Sequence, residues 1–146
     1  MSFLSTKSYD AALDANRSSE VNPPDQKFMT ERLLLATNLT TNTTSYKYIN
    51  MNGYKHLGIH ALTSGATPTD TLTITIEASI QDDGTAPASC SYEDVTNDWF
   101  GVASWVDTDF LVTCSDLAVV WVRIKYVTSN DSGNDADLTL YVKKMY

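Results

Sequence analysis

From about Thr44 to Tyr146 the chain is a series of short runs in which apolar and polar residues alternate, with turn residues between them. The clearest is Thr71 to Ile80, where Leu72, Ile74, Ile76, Ala78 and Ile80 fall on one side and Thr71, Thr73, Thr75, Glu77 and Ser79 on the other. A period of two is that of a half-buried β-strand. The runs recur with hardly any helical pattern between them, so the chain reads as an all-β sandwich or barrel, a scaffold that binds or covers more often than it catalyses.

A first β-run spans Arg32 to Thr37, and eight further strands are predicted at about 44–51, 54–63, 71–80, 89–95, 99–106, 109–114, 117–128 and 136–145. The breaks carry turn chemistry: Asn52-Gly53 is a tight-hairpin dipeptide, Asp82-Asp83-Gly84-Thr85 suits a longer hairpin, and Ser129 to Asn134 is a polar loop. Eight strands following an arm is the count of an eight-stranded antiparallel jelly-roll β-sandwich with an extended N-terminal arm. Its core would draw on Leu57, Ile59, Ala61, Leu72, Ile74 and Ile76, and on Phe110, Val112, Val120, Val122, Ile124 and Tyr126, with Leu138, Leu140 and Val142.

The 146 residues suit one such domain, which would bury about two-thirds of the surface exposed by the unfolded chain. Residues 1–30 read as the extended arm and 31–146 as the sandwich. The arm is polar, closes on Asn22-Pro23-Pro24-Asp25, and has one short helix-compatible stretch at Tyr9 to Asn16. The formal net charge is -8, and residues 1–69 are near +1, so the acidity lies in the rest. An acidic sandwich repels phosphate backbones and argues against nucleic acid as a partner. No apolar stretch has signal-peptide or membrane-spanning length, so a soluble protein made in the cytosol is expected, with Cys90 and Cys114 as buried free thiols.

Candidate chemistry is sparse. His56 and His60 share a face of a predicted strand, which places them about 13 Å apart, too far to chelate one metal. The loop Asp131 to Asp137 is rich in oxygen ligands but lacks the ligand order of a calcium loop, and Asp107 and Asp109 read likewise as solvated acids. No metal and no cofactor are expected. Nucleophile elbows and phosphate-cradling loops are absent. Acids such as Asp94 and Asp98 have no predicted cleft in which to converge as a glycosidase pair, so a non-enzyme is expected.

One strand breaks the clean alternation. With Val120, Val122, Ile124 and Tyr126 inward, Val119, Trp121, Arg123, Lys125 and Val127 form its outer face. A Trp flanked by Val on an outer face needs cover, supplied by the chain's own arm or the Arg32 to Thr37 strand, or by a subunit contact. The remaining possibility is a glycan platform on Trp99, Trp105 or Trp121.

The phrase from Ser79 to Thr96, with its Asp83-Gly84-Thr85 hairpin and Tyr92-Glu93-Asp94-Val95-Thr96 return, is followed later by the long Val122-Arg123-Ile124-Lys125 strand. Over about Tyr46 to Tyr146 this resembles the jelly-roll virion structural proteins of tailed bacteriophages, of the capsid decoration, cement or head-fibre type. Tyr92 stands where such phrases often carry Trp. The resemblance implies a trimeric subunit that sits on the major capsid protein, stabilises the shell and is assembled into the virion in the host cytoplasm. Phe3, Leu4 and Tyr9 would be anchors of the arm, and Trp121, Arg123 and Lys125 an outer-face contact. A glycan-binding module of a phage fibre or tailspike is the alternative.

Overall fold

The computed structural model describes residues 42–64, 71–129 and 136–146, together with the backbone of 28–39. The strands are β1 (Phe28–Leu39), β2 (Thr43–Asn50), β3 (His56–Ser64), β4 (Thr71–Ser79), β5 (Glu93–Asp94), β6 (Trp105–Val106), β7 (Phe110–Cys114), β8 (Trp121–Ser129) and β9 (Ala136–Met145). A short helix, α1 (Thr96–Phe100), lies between β5 and β6. The first sheet has the order β1-β9-β3-β7, and the second β2-β8-β4-β5, with β6 also pairing with β4. Every pairing among the described residues is antiparallel.

Because β5 and β6 share one place beside β4, the sheets offer four strand positions each, and the architecture is a jelly-roll β-sandwich. The expected count of eight therefore holds with a different membership. The strand at Phe28–Leu39 is one of the eight, and the two predicted at 89–95 and 99–106 collapse into a single broken position. Residues 87–89 form a 3-10 turn and 96–100 the helix, so neither predicted strand exceeds two residues. The arm's residues 1–27, including Phe3, Leu4 and Tyr9, lie outside the described residues, as do 65–70 and the acidic loop 130–135.

The alternating runs pack as their period requires. Leu57, Ile59 and Ala61 of β3, with Leu138, Leu140 and Val142 of β9, meet Leu72, Ile74 and Ile76 of β4 and Val122 and Ile124 of β8. Phe110 and Tyr126 are also buried, and Val112 packs against the cluster half-buried. Val120 is a correction: β8 begins at Trp121, and Val120 sits half-buried in the preceding loop, where its N–H donates to the Ser79 carbonyl at 2.9 Å. Val119, expected on the outer face, likewise precedes the strand and packs against the core.

Asn52-Gly53 is a turn but not a hairpin, because β2 and β3 belong to different sheets. Tyr54 N–H donates to Met51 O at 2.8 Å, and Gly53 takes φ +88°, the positive angle that a type II turn needs at its third residue. The turn carries the chain across the end of the core, where Met51 is buried and Tyr54 stacks on Tyr146 at 4.9 Å. Cys90 is buried and free as expected; Cys114 is free but only half-buried. Burial pushes the Cys114 thiol up, which leaves it a poor nucleophile.

Broken pairing beside β4 leaves backbone groups of a buried strand in want of partners, and two side chains supply them. Thr96, fully buried, accepts the Ile76 N–H at 2.8 Å and donates its hydroxyl to Ile76 O at 3.1 Å. Further along, Asp107 accepts the Leu72 N–H on its carboxylate at 2.6 Å, and its own N–H donates to Leu72 O at 2.9 Å. Removing the Thr96 hydroxyl strands a buried N–H. Thr96→Val is therefore expected to lower stability by about 1–3 kcal/mol in urea denaturation, and Thr96→Ser by clearly less.

Candidate interaction surface

The sandwich presents two outer sheet faces. Among the described residues no group of three or more His, Cys, Asp and Glu is placed to hold a metal, and no helix is long and apolar enough to cross a membrane.

On the second sheet, β8 alternates as read, with Trp121, Arg123, Lys125 and Val127 half-buried outward and Val122, Ile124 and Tyr126 inward. Register sets Trp121 between Asn50 and Ser79, Arg123 between Tyr48 and Glu77, and Lys125 between Tyr46 and Thr75. The Arg32 to Thr37 run does not cover this Trp, because β1 is an edge strand of the other sheet.

Arg123 is the best-held charge on this face. Its Nε donates to Glu77 Oε1 at 2.6 Å and its NH2 nitrogen lies 2.5 Å from the same oxygen. The guanidinium stacks between two tyrosines, 4.2 Å from the Tyr46 ring centroid and 4.0 Å from that of Tyr92. The two side chains are 17% and 11% exposed, so the pair is largely removed from water. Burial by itself would weaken the arginine's charge, but the Glu77 hydrogen bond and charge more than offset it and hold the guanidinium above its ordinary value. Arg123 thus clasps β2, β4 and the loop before β5 together, and its charged head is committed within the fold. Lys125 is freer: its Nζ lies 3.8 Å from Glu77 Oε2 and a third of the side chain is exposed.

The loop at 80–92 is itself built to deliver Tyr92. Asp83 accepts the Thr85 N–H at 3.0 Å, and hydrogen bonds from Thr85 and Gln81 hold its carboxyl below the usual range. Gln81 Oε1 accepts the Ser91 N–H at 2.9 Å, and the Tyr92 hydroxyl donates to Pro87 O at 2.9 Å. Burial, and secondarily the negative field of Cys90, push the Tyr92 phenol from 10.0 up to about 12. Tyr46, Tyr48, Glu77 and Tyr92 were not legible as a group, since their meeting depends on cross-strand register.

The first sheet's outer face is more apolar. His60 lies opposite Leu111 on one side and Tyr141 on the other, and the next row sets Gly58 between Thr113 and Lys143. Leu111 is 70% exposed, with Leu62 and Tyr141 also exposed. Two shallow depressions, of about 280 and 220 Å³, meet at Gly58. A signal for this face was present in Phe110-Leu111-Val112, since three consecutive apolar residues in a strand must turn one toward water. The other tryptophans are absorbed by packing: Trp99, Phe100, Trp105 and Phe110 make a row of ring contacts that ends in a stack at 3.9 Å.

No family model and no curated protein matches the sequence. Among solved structures the chain is similar to the SPBc2 prophage-derived protein YomS, with a TM-score of 0.47 and 11% identity over 82% of this chain and 93% of that one. It is also similar to a chain of the native virion of Kashmir bee virus at acidic pH, with a TM-score of 0.44 and 10% identity over 80% of this chain and 71% of that one. A third is the Yersinia pseudotuberculosis-derived mitogen YPM, with a TM-score of 0.44 and 12% identity over 82% and 86%. The neighbours thus include a prophage-derived protein and a virion protein, and the likeness is one of architecture.

Two outcomes test the clasp. Arg123→Met leaves Glu77 largely buried without its partner and is expected to cost about 2–4 kcal/mol after allowing for residual exposure, with much of the loss recovered when Glu77→Leu is added. The raised phenol of Tyr92 favours the folded state while it stays protonated, so that contribution is intact below pH 10 and lost as pH rises from 10.0 through about 12. Spectrophotometric tyrosine titration with parallel denaturation at each pH checks both parts.

Proposed function

We propose that this chain is a virion structural protein that works as a capsid cement or decoration subunit and performs no catalysis. The observation that supports the reading is the exposed apolar side chains on the outer face of the first sheet, where Leu111 and Tyr141 line a shallow groove and Leu62 is exposed on the same face. A broad, shallow apolar face is suited to lying against another protein surface and poorly suited to enclosing a substrate. The phage-like phrase from Ser79 to Thr96 supports the same reading, as do two free thiols compatible with assembly in the host cytoplasm.

In this role the subunit contacts the major capsid protein, and a trimer multiplies each contact by linking neighbouring capsid subunits. Contacts made only in the assembled shell raise the free energy needed to take it apart. Trp121 and Lys125 contribute on the second sheet's outer face, and Arg123 acts there by positioning Tyr46 and Tyr92. Phe3, Leu4 and Tyr9 serve as arm anchors.

A glycan-binding module of a fibre or tailspike is the second reading. It is favoured by one observation: Trp121 lies on an outer face with polar Asn50 and Ser79 in register on either side, an aromatic plane flanked by hydrogen-bonding groups.

The purified protein is expected to co-sediment with assembled capsids at fixed stoichiometry and to raise their melting temperature, while giving no signal on a glycan array. Leu111→Glu should weaken capsid binding without lowering the protein's own stability, and deletion of residues 2–27 should weaken it further. Glycan binding lost in Trp121→Ala, with no capsid binding, would decide for the second reading.

A further inference from the structure

Gly58 lies inside β3, and nothing in the described fold calls for a glycine there. Its φ is not positive, and a Cβ at this position would lie 3.7 Å from Thr113 Cγ2 and 3.9 Å from Lys143 Cβ, which is ordinary van der Waals contact. A glycine inside a strand weakens it, and such glycines mark places where another backbone or a ligand comes close. Here the missing side chain joins the two depressions of about 280 and 220 Å³ into one groove that follows β3 from His56 to His60, with Thr113 of β7 on one side and Lys143 of β9 on the other.

The lining sets what can occupy this groove. Lys143 lines both depressions and no acid lines either, while exposed Met145 and Leu111 stand at opposite ends. An occupant must therefore combine a closely approaching backbone, an apolar side chain and negative charge. The start of β1 says which segment is at hand. Phe28, its first residue, pairs with Met145, and Met145 both lines the groove and pairs with His56. Residues 1–27 thus join the sheet beside the groove's Met145 end.

Within those residues, Asp10-Ala11-Ala12-Leu13-Asp14-Ala15 holds one large apolar side chain, three methyl groups that let a backbone approach, two acids and no base. Phe3 and Leu4 fit less well, because their nearest charged side chain is Lys7, of the same sign as Lys143. From Leu13 to Phe28 the chain can span up to about 50 Å, against a groove about 13 Å long, so reach sets no limit.

We propose that the chain's own Asp10–Ala15 segment lies in this groove, with Leu13 over Gly58 and its flanking acids facing Lys143. The contact goes beyond the cement reading and does not depend on it; Phe3, Leu4 and Tyr9 precede the docked segment and stay available as anchors. Because the contact is intramolecular, the tether holds segment and groove at an effective concentration of about millimolar, so a small interface suffices.

The test is photo-cross-linking of the full-length protein with p-benzoylphenylalanine in place of Tyr141, which lines the groove, followed by peptide mass spectrometry. The expected product is a link to residues 10–15 at monomer mass, with a yield independent of protein concentration. Docking by one leucine and one charge pair is weak, so the yield follows the equilibrium, and Leu13→Asp and Gly58→Phe should each lower it by about tenfold. Lys143→Glu should lower it as well, with recovery when Asp10→Lys and Asp14→Lys are added. Thermal melts verify that the sandwich of each variant is folded, and Leu13→Asp leaves the sandwich's own residues unchanged.

A link to the arm of another copy, seen at dimer mass and lost on dilution, overturns the proposal. So does a wild type with no link to residues 10–15, or a yield that Leu13→Asp does not move. Capsids play no part in the measurement. A docked arm on a chain that ignores capsids would sink the cement reading and spare this inference, and an undocked arm on a chain that decorates them would do the reverse.

Discussion

The second sheet depends on satisfying both edges of β4. The strand is central to the core, with Leu72, Ile74 and Ile76 buried on one face and Glu77 held against Arg123 on the other. One edge is paired along its full length by β8. The other meets only β5 and β6, two residues each, so the hydroxyl of Thr96 and the carboxylate of Asp107 stand in for missing backbone partners. A buried amide without an acceptor forfeits the hydrogen bond that water gave it in the unfolded chain, and Thr96 and Asp107 each stand just after a two-residue strand, where the ladder on β4 gives out.

Freed from continuous pairing, the chain between β5 and β6 does other work. It forms α1 and brings Trp99, Phe100 and Trp105 into a row that ends on Phe110. The row closes that end of the sandwich with rings instead of a strand. The loop before β5 is likewise ordered, by Gln81 and Asp83, and delivers Tyr92 onto the arginine. Packing and electrostatics are joined at that point: the same guanidinium ties three segments together and neutralises a buried carboxylate.

Much of the fold was legible because period-two alternation is a local property. Leu72 to Ile76 and Leu138 to Val142 declare their buried face without reference to any neighbour. The stretch from Ser89 to Val106 was not legible as helix, since α1 is too short to show a helical period and its Thr96 is fixed by contact with β4 rather than by local propensity. Asn52-Gly53 announced a turn correctly, but which sheet the chain enters afterwards is decided by long-range pairing. For the surfaces the limit is the same. Trp121 and Lys125 could be assigned to an outer face from one strand alone, whereas the burial of Arg123 depends on Glu77, Tyr46 and Tyr92, which are brought to it by register.

The interruption of the fourth strand position by α1 blunts one edge of the second sheet against strand addition. An unprotected edge is a template on which further strands can add without limit, which is how soluble sandwiches are drawn into fibres. Beside β4 the template is already occupied or bent away: two residues of ladder, a side-chain hydroxyl, a helical turn, and Asp107 at φ 51°. Main-chain growth stops there. Anything that joins this edge must do so through side chains, and side-chain contacts, unlike a continuing ladder, have a fixed extent and can be undone.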